Sequence, residues 1–79
     1  MVDNVFNIAN RVFKHEVNEN SKINDFEQWD SLGQLTLFME LEDELGIQFT
    51  HEEIIETSTM KGIISLIKNK KNTSSYVQK

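Results

Sequence analysis

A serine that follows an aspartate at the start of a predicted helix is the residue best placed for chemistry in this 79-residue sequence. Ser31 lies where unpaired amide groups and the positive end of a helix dipole favour a negative group. A phosphate ester on its hydroxyl would therefore occupy a favourable anion environment. The same residues also fit a simple N-cap, since Ser31 and Gln34 match a capping box and Asp30 could cap equally well. On these residues alone, capping is the better-supported interpretation.

Other catalytic and metal-binding patterns are missing from the sequence. It has no cysteine, so any thiol must come from outside the polypeptide. His51 has no second histidine four residues on, the acids do not follow calcium-loop spacing, and no glycine-rich phosphate loop occurs. No nucleophile, base and orienting group follow a recognisable order. A chain this short also has little material for a rigid active site, so we expect neither catalytic activity nor a bound metal.

Acidic side chains are concentrated in the middle of the chain. The stretch from Asp25 to Glu56 holds ten acids and no Lys or Arg, whereas Lys61 to Lys79 holds five lysines and no acid. The net charge of −5 argues against a nucleic-acid ligand, which needs clustered basic residues. The pattern predicts a negative face that steers a basic partner, with an ordinary solvated surface as the alternative.

Hydrophobic periodicity predicts an all-α protein. The sequence has no proline, and apolar residues recur at i, i+3, i+4 and i+7 near both ends. We expect a four-helix bundle with helices at about 2–16, 31–45, 51–56 and 60–71. The second helix carries apolar residues over more than half its circumference, which predicts a central position in the bundle. These residues are Leu32, Leu35, Leu37, Phe38, Met39, Leu41 and Leu45.

Local signals place the ends of the helices. Gly46 is the expected stop of the second helix, Thr50 and Glu53 form a capping box for the short third helix, and Ser58 or Thr59 can cap the fourth. The long loop between helices one and two should be ordered because it has three apolar anchors. The anchors are Ile23, Phe26 and Trp29. We assign residues 1–71 to the domain and residues 72–79 to a polar, flexible C-terminal tail, with Lys68, Lys70 and Lys71 in the last helical turn.

Three runs of the sequence together resemble the acyl carrier protein family. They are WDSLGQL (29–35), LEDELGI (41–47) and EEI (52–54), and the resemblance extends from helix one to Ile67. It implies that a phosphopantetheinyl transferase attaches 4'-phosphopantetheine from coenzyme A to Ser31, which provides a thiol that carries acyl groups as thioesters. It also implies that Asp30 helps the transferase and its magnesium engage the site, and that Leu32 is an exposed contact for partner enzymes. Residues 1–71 would then be the acyl carrier domain.

The resemblance further implies where partners and cargo bind. Carriers of this type present helix two to basic patches on their enzymes, and weak exposed pairs suit brief contacts. Glu42 and Asp43 match acidic family positions used this way, and three further acids add charge nearby: Glu40, Glu44 and Glu53. Family members can also shelter an acyl chain between helices two and three, with plain core packing as the alternative for each apolar position. The positions are Phe38, Leu41, Phe49 and Ile54, with Ile63 opposite on helix four.

Three positions depart from the pattern of fatty acid carriers. Gly33 and Thr36 stand where those carriers usually have acids, and Trp29 stands where they often have a small residue. These features look closer to specialised carriers of polyketide, peptide or D-alanyl pathways.

The sequence therefore predicts an acyl carrier that shuttles intermediates between the loading and transferring enzymes of fatty acid or specialised biosynthesis. The alternative is an unmodified acidic helical docking module for a basic protein partner. We expect a cytoplasmic monomer with no membrane span, because no basic region followed by an apolar run opens the sequence and no stretch is long and apolar enough.

Overall fold

Four α-helices form the regular structure of residues 2–77, whose backbone the computed structural model describes; side chains are described for residues 4–70. The helices are α1 (Val2–Phe13), α2 (Ser31–Leu45), α3 (His51–Glu56) and α4 (Met60–Val77). This arrangement confirms the predicted all-α bundle with a long loop between the first two helices and a short third helix.

The helix ends follow local backbone chemistry. Gly46 ends α2 in the left-handed conformation (φ 68°), and its amide donates to the Glu42 carbonyl, as expected of a helix stop. Thr50 and Glu53 form the predicted capping box of α3. Of the two candidate caps of α4, Thr59 accepts from the Gly62 amide at 3.0 Å.

Two predicted boundaries are corrected. The first helix ends at Phe13 rather than near residue 16, because Lys14 adopts a left-handed conformation (φ 55°) that interrupts the helix. The fourth helix continues to Val77, past its predicted end at Lys71, because no glycine or proline interrupts residues 72–77. The last turn of α4 is therefore not the lysine-rich segment. The end of the predicted tail, residues 78–79, lies outside the described residues, and the flexibility of the tail stays a prediction.

The core lies between α1, α2 and α4. Each of these helices contributes several buried apolar side chains, and each fully buried one stabilises the fold by about 1.5–3 kcal/mol. The buried residues are Val5, Ile8, Ala9 and Phe13 of α1, Leu37, Phe38 and Leu41 of α2, and Met60, Ile63 and Ile67 of α4, with Val17, Trp29 and Phe49 from the connections. The short helix α3 contributes no buried residue and covers the core with half-buried Ile54.

An aromatic cluster fixes the long loop to α1. Trp29 is fully buried and stacks on Phe13 with ring centroids 4.9 Å apart, and Phe26 meets Phe13 edge-on at 5.4 Å. His15 stacks on Phe26 at 3.9 Å. The three predicted anchors thus pack on the bundle, with Trp29 in the core and Ile23 and Phe26 partly buried against it.

Backbone hydrogen bonds attach the same loop to the start of α4. The Ile23 amide donates to the Ser58 carbonyl at 2.9 Å, and the Met60 amide donates to the Ser21 carbonyl at 2.9 Å. The loop is therefore held on two sides, and the segment that leads to Ser31 enters α2 from a fixed direction.

Candidate functional site

Asp30, and not Ser31, caps the N-terminus of α2. Asp30 has an extended backbone, and its Oδ1 accepts from the Gly33 amide at 2.8 Å, while its carbonyl accepts from the Gln34 amide at 2.8 Å. Ser31 is thus the first helical residue. Of the two candidate caps, Asp30 is the one that the helix uses, so the capping box between Ser31 and Gln34 does not form.

The Ser31 hydroxyl is left exposed at the mouth of the helix. Within the part of the chain whose side chains are described, the hydroxyl makes no hydrogen bond, and the amides of Ser31 and Leu32 have no backbone partner. An alcohol beside unpaired amide groups fits a phosphodiester built on its oxygen, since those amides can donate to the added phosphate. No base contacts the hydroxyl among these residues, so an external enzyme would have to remove its proton.

Gly33 is required by the close approach of the loop backbone. A Cβ at this position would lie 2.0 Å from the Gln28 carbonyl oxygen and 3.3 Å from Phe13 Cε1. Any side chain at residue 33 must displace the Gln28 backbone. The glycine that departs from the pattern of fatty acid carriers therefore has a packing cause in this protein.

Gln34 connects the loop to α3 through a buried side chain. Trp29 Nε1 donates to Gln34 Oε1 at 2.7 Å, and Gln34 Nε2 donates to the carbonyls of Ile54 and Thr57, both at 2.7 Å. We use the name interlock for this hydrogen-bonded group, which consists of Trp29, Gln34, Ile54 and Thr57. The sequence predicts a capping role for Gln34, whereas its side chain is buried and joins Trp29 to α3. The sequence signal for this role is a tryptophan donor five residues before a glutamine on the core side of a helix.

Two of the predicted partner-binding acids pair with α1. Arg11 Nη2 forms ion pairs with Glu40 at 3.2 Å and with Glu44, which lie one turn apart on α2. The hydrogen bond that Arg11 donates to the Glu44 carboxylate raises the pKa of Arg11, so the guanidinium remains charged at every relevant pH. This brace joins α1 to α2 and neutralises part of the acidic face.

Two other acids serve local backbone structure. Glu42 accepts from the Phe49 amide at 2.9 Å and so closes the turn after α2. Glu53 accepts from the Thr50 amide at 2.8 Å and pairs with Lys70 Nζ at 2.9 Å. The Thr50 amide, with Lys70, holds the pKa of the Glu53 carboxyl below its usual range.

Asp43 differs from the other predicted partner acids. It is exposed and makes no hydrogen bond or ion pair with the side chains of residues 4–70. Of the five acids, Asp43 is therefore the one whose charge is fully available to solvent in the described structure.

Part of the wide apolar stripe of α2 faces solvent. Leu32 is 71% exposed, Met39 61% and Leu35 42%, and Ile55 of α3 is 63% exposed. Leu32, Leu35 and Met39 occur at i, i+3 and i+7 and so share one helix face. The stripe as a whole is therefore not covered by the bundle, because an apolar arc wider than half a helix exceeds what its neighbours can cover. The exposure of Leu32 agrees with the exposed contact that the resemblance implies.

The residues implied for an acyl pocket form the core beside α3. Phe38, Leu41 and Ile63 are fully buried, Phe49 is 9% exposed, and Ile54 is half-buried. Phe38 and Phe49 meet edge-to-face with ring centroids 4.7 Å apart. These side chains therefore pack in or against the core, and their role in sheltering an acyl chain stays a prediction.

Two open surface clefts lie elsewhere. One is lined by Met39, Glu40, Glu42, Asp43, Ile47 and Gln48, and the other by Glu19, Lys61, Ile64, Ser65 and Lys68. Neither cleft includes a residue implied for the acyl pocket.

Two further searches concern metals and membranes. Among the residues that the structure describes, no three His, Asp or Glu side chains are grouped so that they could hold a metal ion. In the same part of the chain, no helix has the length and apolar character needed to cross a membrane.

Comparisons with known proteins gave no match. A scan against protein-family models found no matching family, and searches of curated proteins and of solved structures found no similar protein. The resemblance to acyl carrier proteins therefore depends on the sequence pattern itself, chiefly on the three runs at 29–35, 41–47 and 52–54.

Proposed function

We propose that this chain is an acyl carrier protein modified with 4'-phosphopantetheine at Ser31. The observation that carries the proposal is the exposed Ser31 hydroxyl, which is free because Asp30 supplies the cap. This serine stands inside the WDSLGQL run that resembles the family's attachment site. A serine that capped the helix would have its hydroxyl in a hydrogen bond to a backbone amide, whereas a serine that is modified must be accessible to an enzyme.

The chemistry at Ser31 is a transfer from coenzyme A. The serine oxygen forms a bond to the phosphorus of the phosphopantetheine, the pyrophosphate bond of coenzyme A breaks, adenosine 3',5'-bisphosphate leaves, and the hydroxyl proton goes to a base of the transferase. When attached, the group supplies a terminal thiol on which acyl groups are carried as thioesters. The chain's own contribution is to hold the hydroxyl at the helix end, beside the amides of Ser31 and Leu32.

The exposed side of α2 supplies a docking surface for partner enzymes in this proposal. The apolar face of Leu32, Leu35 and Met39 begins beside the modified serine. Asp43 lies one turn after Met39 on the same helix. Apolar contact next to a solvated carboxylate suits an enzyme surface with an apolar patch rimmed by Lys or Arg. Glu40 and Glu44 contribute less there, because Arg11 already offsets part of their charge.

An unmodified docking module for a basic protein remains the second candidate. The same exposed apolar face and acidic surface favour it, and it differs from a carrier only in having no use for the Ser31 hydroxyl. The pathway served by a carrier, whether fatty acid or polyketide, peptide or D-alanyl synthesis, is a further part of the proposal, and Gly33 does not decide it because that residue has a packing cause.

Intact-protein mass spectrometry tests the proposal. The chain is incubated with coenzyme A, magnesium and a broad-specificity phosphopantetheinyl transferase. We expect one phosphopantetheine increment on the parent and on Ser65→Ala, which removes an exposed serine of α4, and none on Ser31→Ala. An unmodified parent with several transferases, or a modified Ser31→Ala variant, would contradict the assignment and favour the docking module.

A further inference from the structure

Gln34 joins the segment before Ser31 to the C-terminal end of α3. We propose that Gln34 is a positioning residue: it holds the segment 29–31 and α3 in one fixed arrangement and thereby presents Ser31 to the modifying enzyme. This inference rests on the proposed function of Ser31. It concerns a residue that neither touches the transferred group nor caps the helix.

The chemistry of the interlock permits a single orientation of the Gln34 amide. The indole of Trp29 can only donate, and the carbonyls of Ile54 and Thr57 can only accept. Oε1 must therefore face Trp29 and Nε2 must face α3, as the three 2.7 Å contacts show. Asparagine is one methylene shorter, and glutamate has no donor for the two carbonyls, so glutamine is the side chain that satisfies all three groups.

The helix α3 depends on polar contacts for its position. It has six residues, none of them buried. Gln34 holds its C-terminal end at Ile54 and Thr57, and the Glu53–Lys70 pair attaches it to α4. Loss of the two Gln34 bonds would leave half-buried Ile54 as the main contact between this end of α3 and the core, and so weaken the attachment.

The other end of the interlock lies two residues before Ser31. Trp29 is fully buried, and its backbone is fixed because its amide donates to Phe26 at 3.0 Å and its carbonyl accepts from Asn24 at 2.7 Å. The next residue, Asp30, caps α2. A displaced Trp29 would therefore move the cap and the direction in which Ser31 projects.

Three variants separate the two halves of the interlock. Gln34→Glu keeps the acceptor for Trp29 but loses both donors to α3, and Gln34→Met removes all three bonds at similar length. Trp29→Phe removes the indole donor together with part of a buried ring that stacks on Phe13. Gln48→Met makes the same chemical change at an exposed glutamine and is the matched control. Readouts are KM and kcat for modification, amide hydrogen exchange in α3, and emission of the single tryptophan.

We expect Gln34→Met to raise the KM of the transferase for this chain on the order of tenfold, because only the fraction of molecules that present Ser31 correctly can bind productively. Its kcat and helical circular dichroism should stay close to the parent, its Trp29 emission should shift to the red, and exchange in α3 should accelerate. Gln34→Glu should accelerate exchange in α3 at neutral pH, with partial recovery when the introduced carboxyl is protonated and regains a donor. Gln48→Met should match the parent in all readouts.

The outcomes distinguish this inference from the proposed function. A parent that is modified, together with Gln34→Met modified at the parent's KM and with parental exchange in α3, overturns the positioning role and leaves Ser31 as the attachment site. A parent that is not modified overturns the proposed function and, with it, this role in modification. If Gln34→Met fails to fold, Gln34→Glu decides, because it keeps the acceptor for Trp29 and loses only the donors to α3: a raised KM with accelerated exchange in α3 supports the positioning role, and a parental KM overturns it.

Discussion

Two adjacent residues divide the structural and chemical work at the start of α2. Asp30 satisfies the Gly33 amide and stabilises the helix, while Ser31 stays exposed in the first turn. Both residue types are good caps, so the choice depends on the backbone. Asp30 has the extended conformation of a cap, which leaves Ser31 inside the helix.

Substitution of these two residues should give unequal losses of stability. Asp30→Ala should lower the free energy of unfolding by about 1 kcal/mol, because the Gly33 amide loses its acceptor. Ser31→Ala should change it by less than about 0.5 kcal/mol, as expected for an exposed side chain without a partner. Urea unfolding at neutral pH measures both.

Asp30→Asn is the control for this pair, since its side-chain oxygen can still accept from the Gly33 amide. It should keep most of the stability that Asp30→Ala loses. A loss for Ser31→Ala as large as that for Asp30→Ala would mean that the serine stabilises the helix end after all.

At the scale of elements, α3 is attached by polar contacts at both ends. Glu53 is central to one attachment, because its carboxylate accepts from the Thr50 amide and pairs with Lys70. Lys70 also lies 5.5 Å from the ring centroid of Phe49, which links α4 to the turn before α3. These contacts hold α3 and the turn before it against the core.

The stability supplied by Glu53 should depend on pH. Its pKa is lowered in the folded state, chiefly by the Thr50 amide and then by Lys70. The contribution is therefore fully present above the ordinary glutamate pKa of about 4.3 and is lost as the pH falls through the lowered folded value. Unfolding free energies of the parent and Glu53→Gln, measured from pH 7 to pH 3, should differ at neutral pH and converge at the acidic end. A difference that stayed constant with pH would exclude this charge effect.

At the scale of the whole molecule, charge is distributed unevenly along the chain. The stretch from Asp25 to Glu56 holds ten acids and no Lys or Arg, and folding brings Arg11 and Lys70 to three of these acids. The remaining acids repel one another, which opposes the compact state at low ionic strength.

Salt should therefore stabilise the protein. We expect the melting temperature to rise between low and moderate salt, by a few degrees for each kcal/mol of relieved repulsion in a domain of this size. The rise should be larger in Arg11→Gln, because Glu40 and Glu44 then lose their cation. Calorimetry over a salt series measures both; a melting temperature independent of salt would show that the repulsion is negligible.

The sequence by itself determined the helical architecture. Apolar spacing, Gly46 and the capping box of Thr50 and Glu53 act within a few residues, so they predict α2 and α3 with their observed bounds. The same local signals placed Ser31 at the mouth of α2. The end of α4 was missed because polar residues without a breaker do not themselves stop a helix.

Only the tertiary structure decided which partner each side chain meets. The sequence could not distinguish Asp30 from Ser31 as the cap, or show that Gln34 reaches Trp29 and α3. Nor could it show that Leu35 and Met39 face solvent, or that Glu40 and Glu44 pair with Arg11, 29 and 33 residues away. Periodicity defines a helix and its apolar arc, but burial and pairing depend on where the other helices lie, which contacts between distant residues determine.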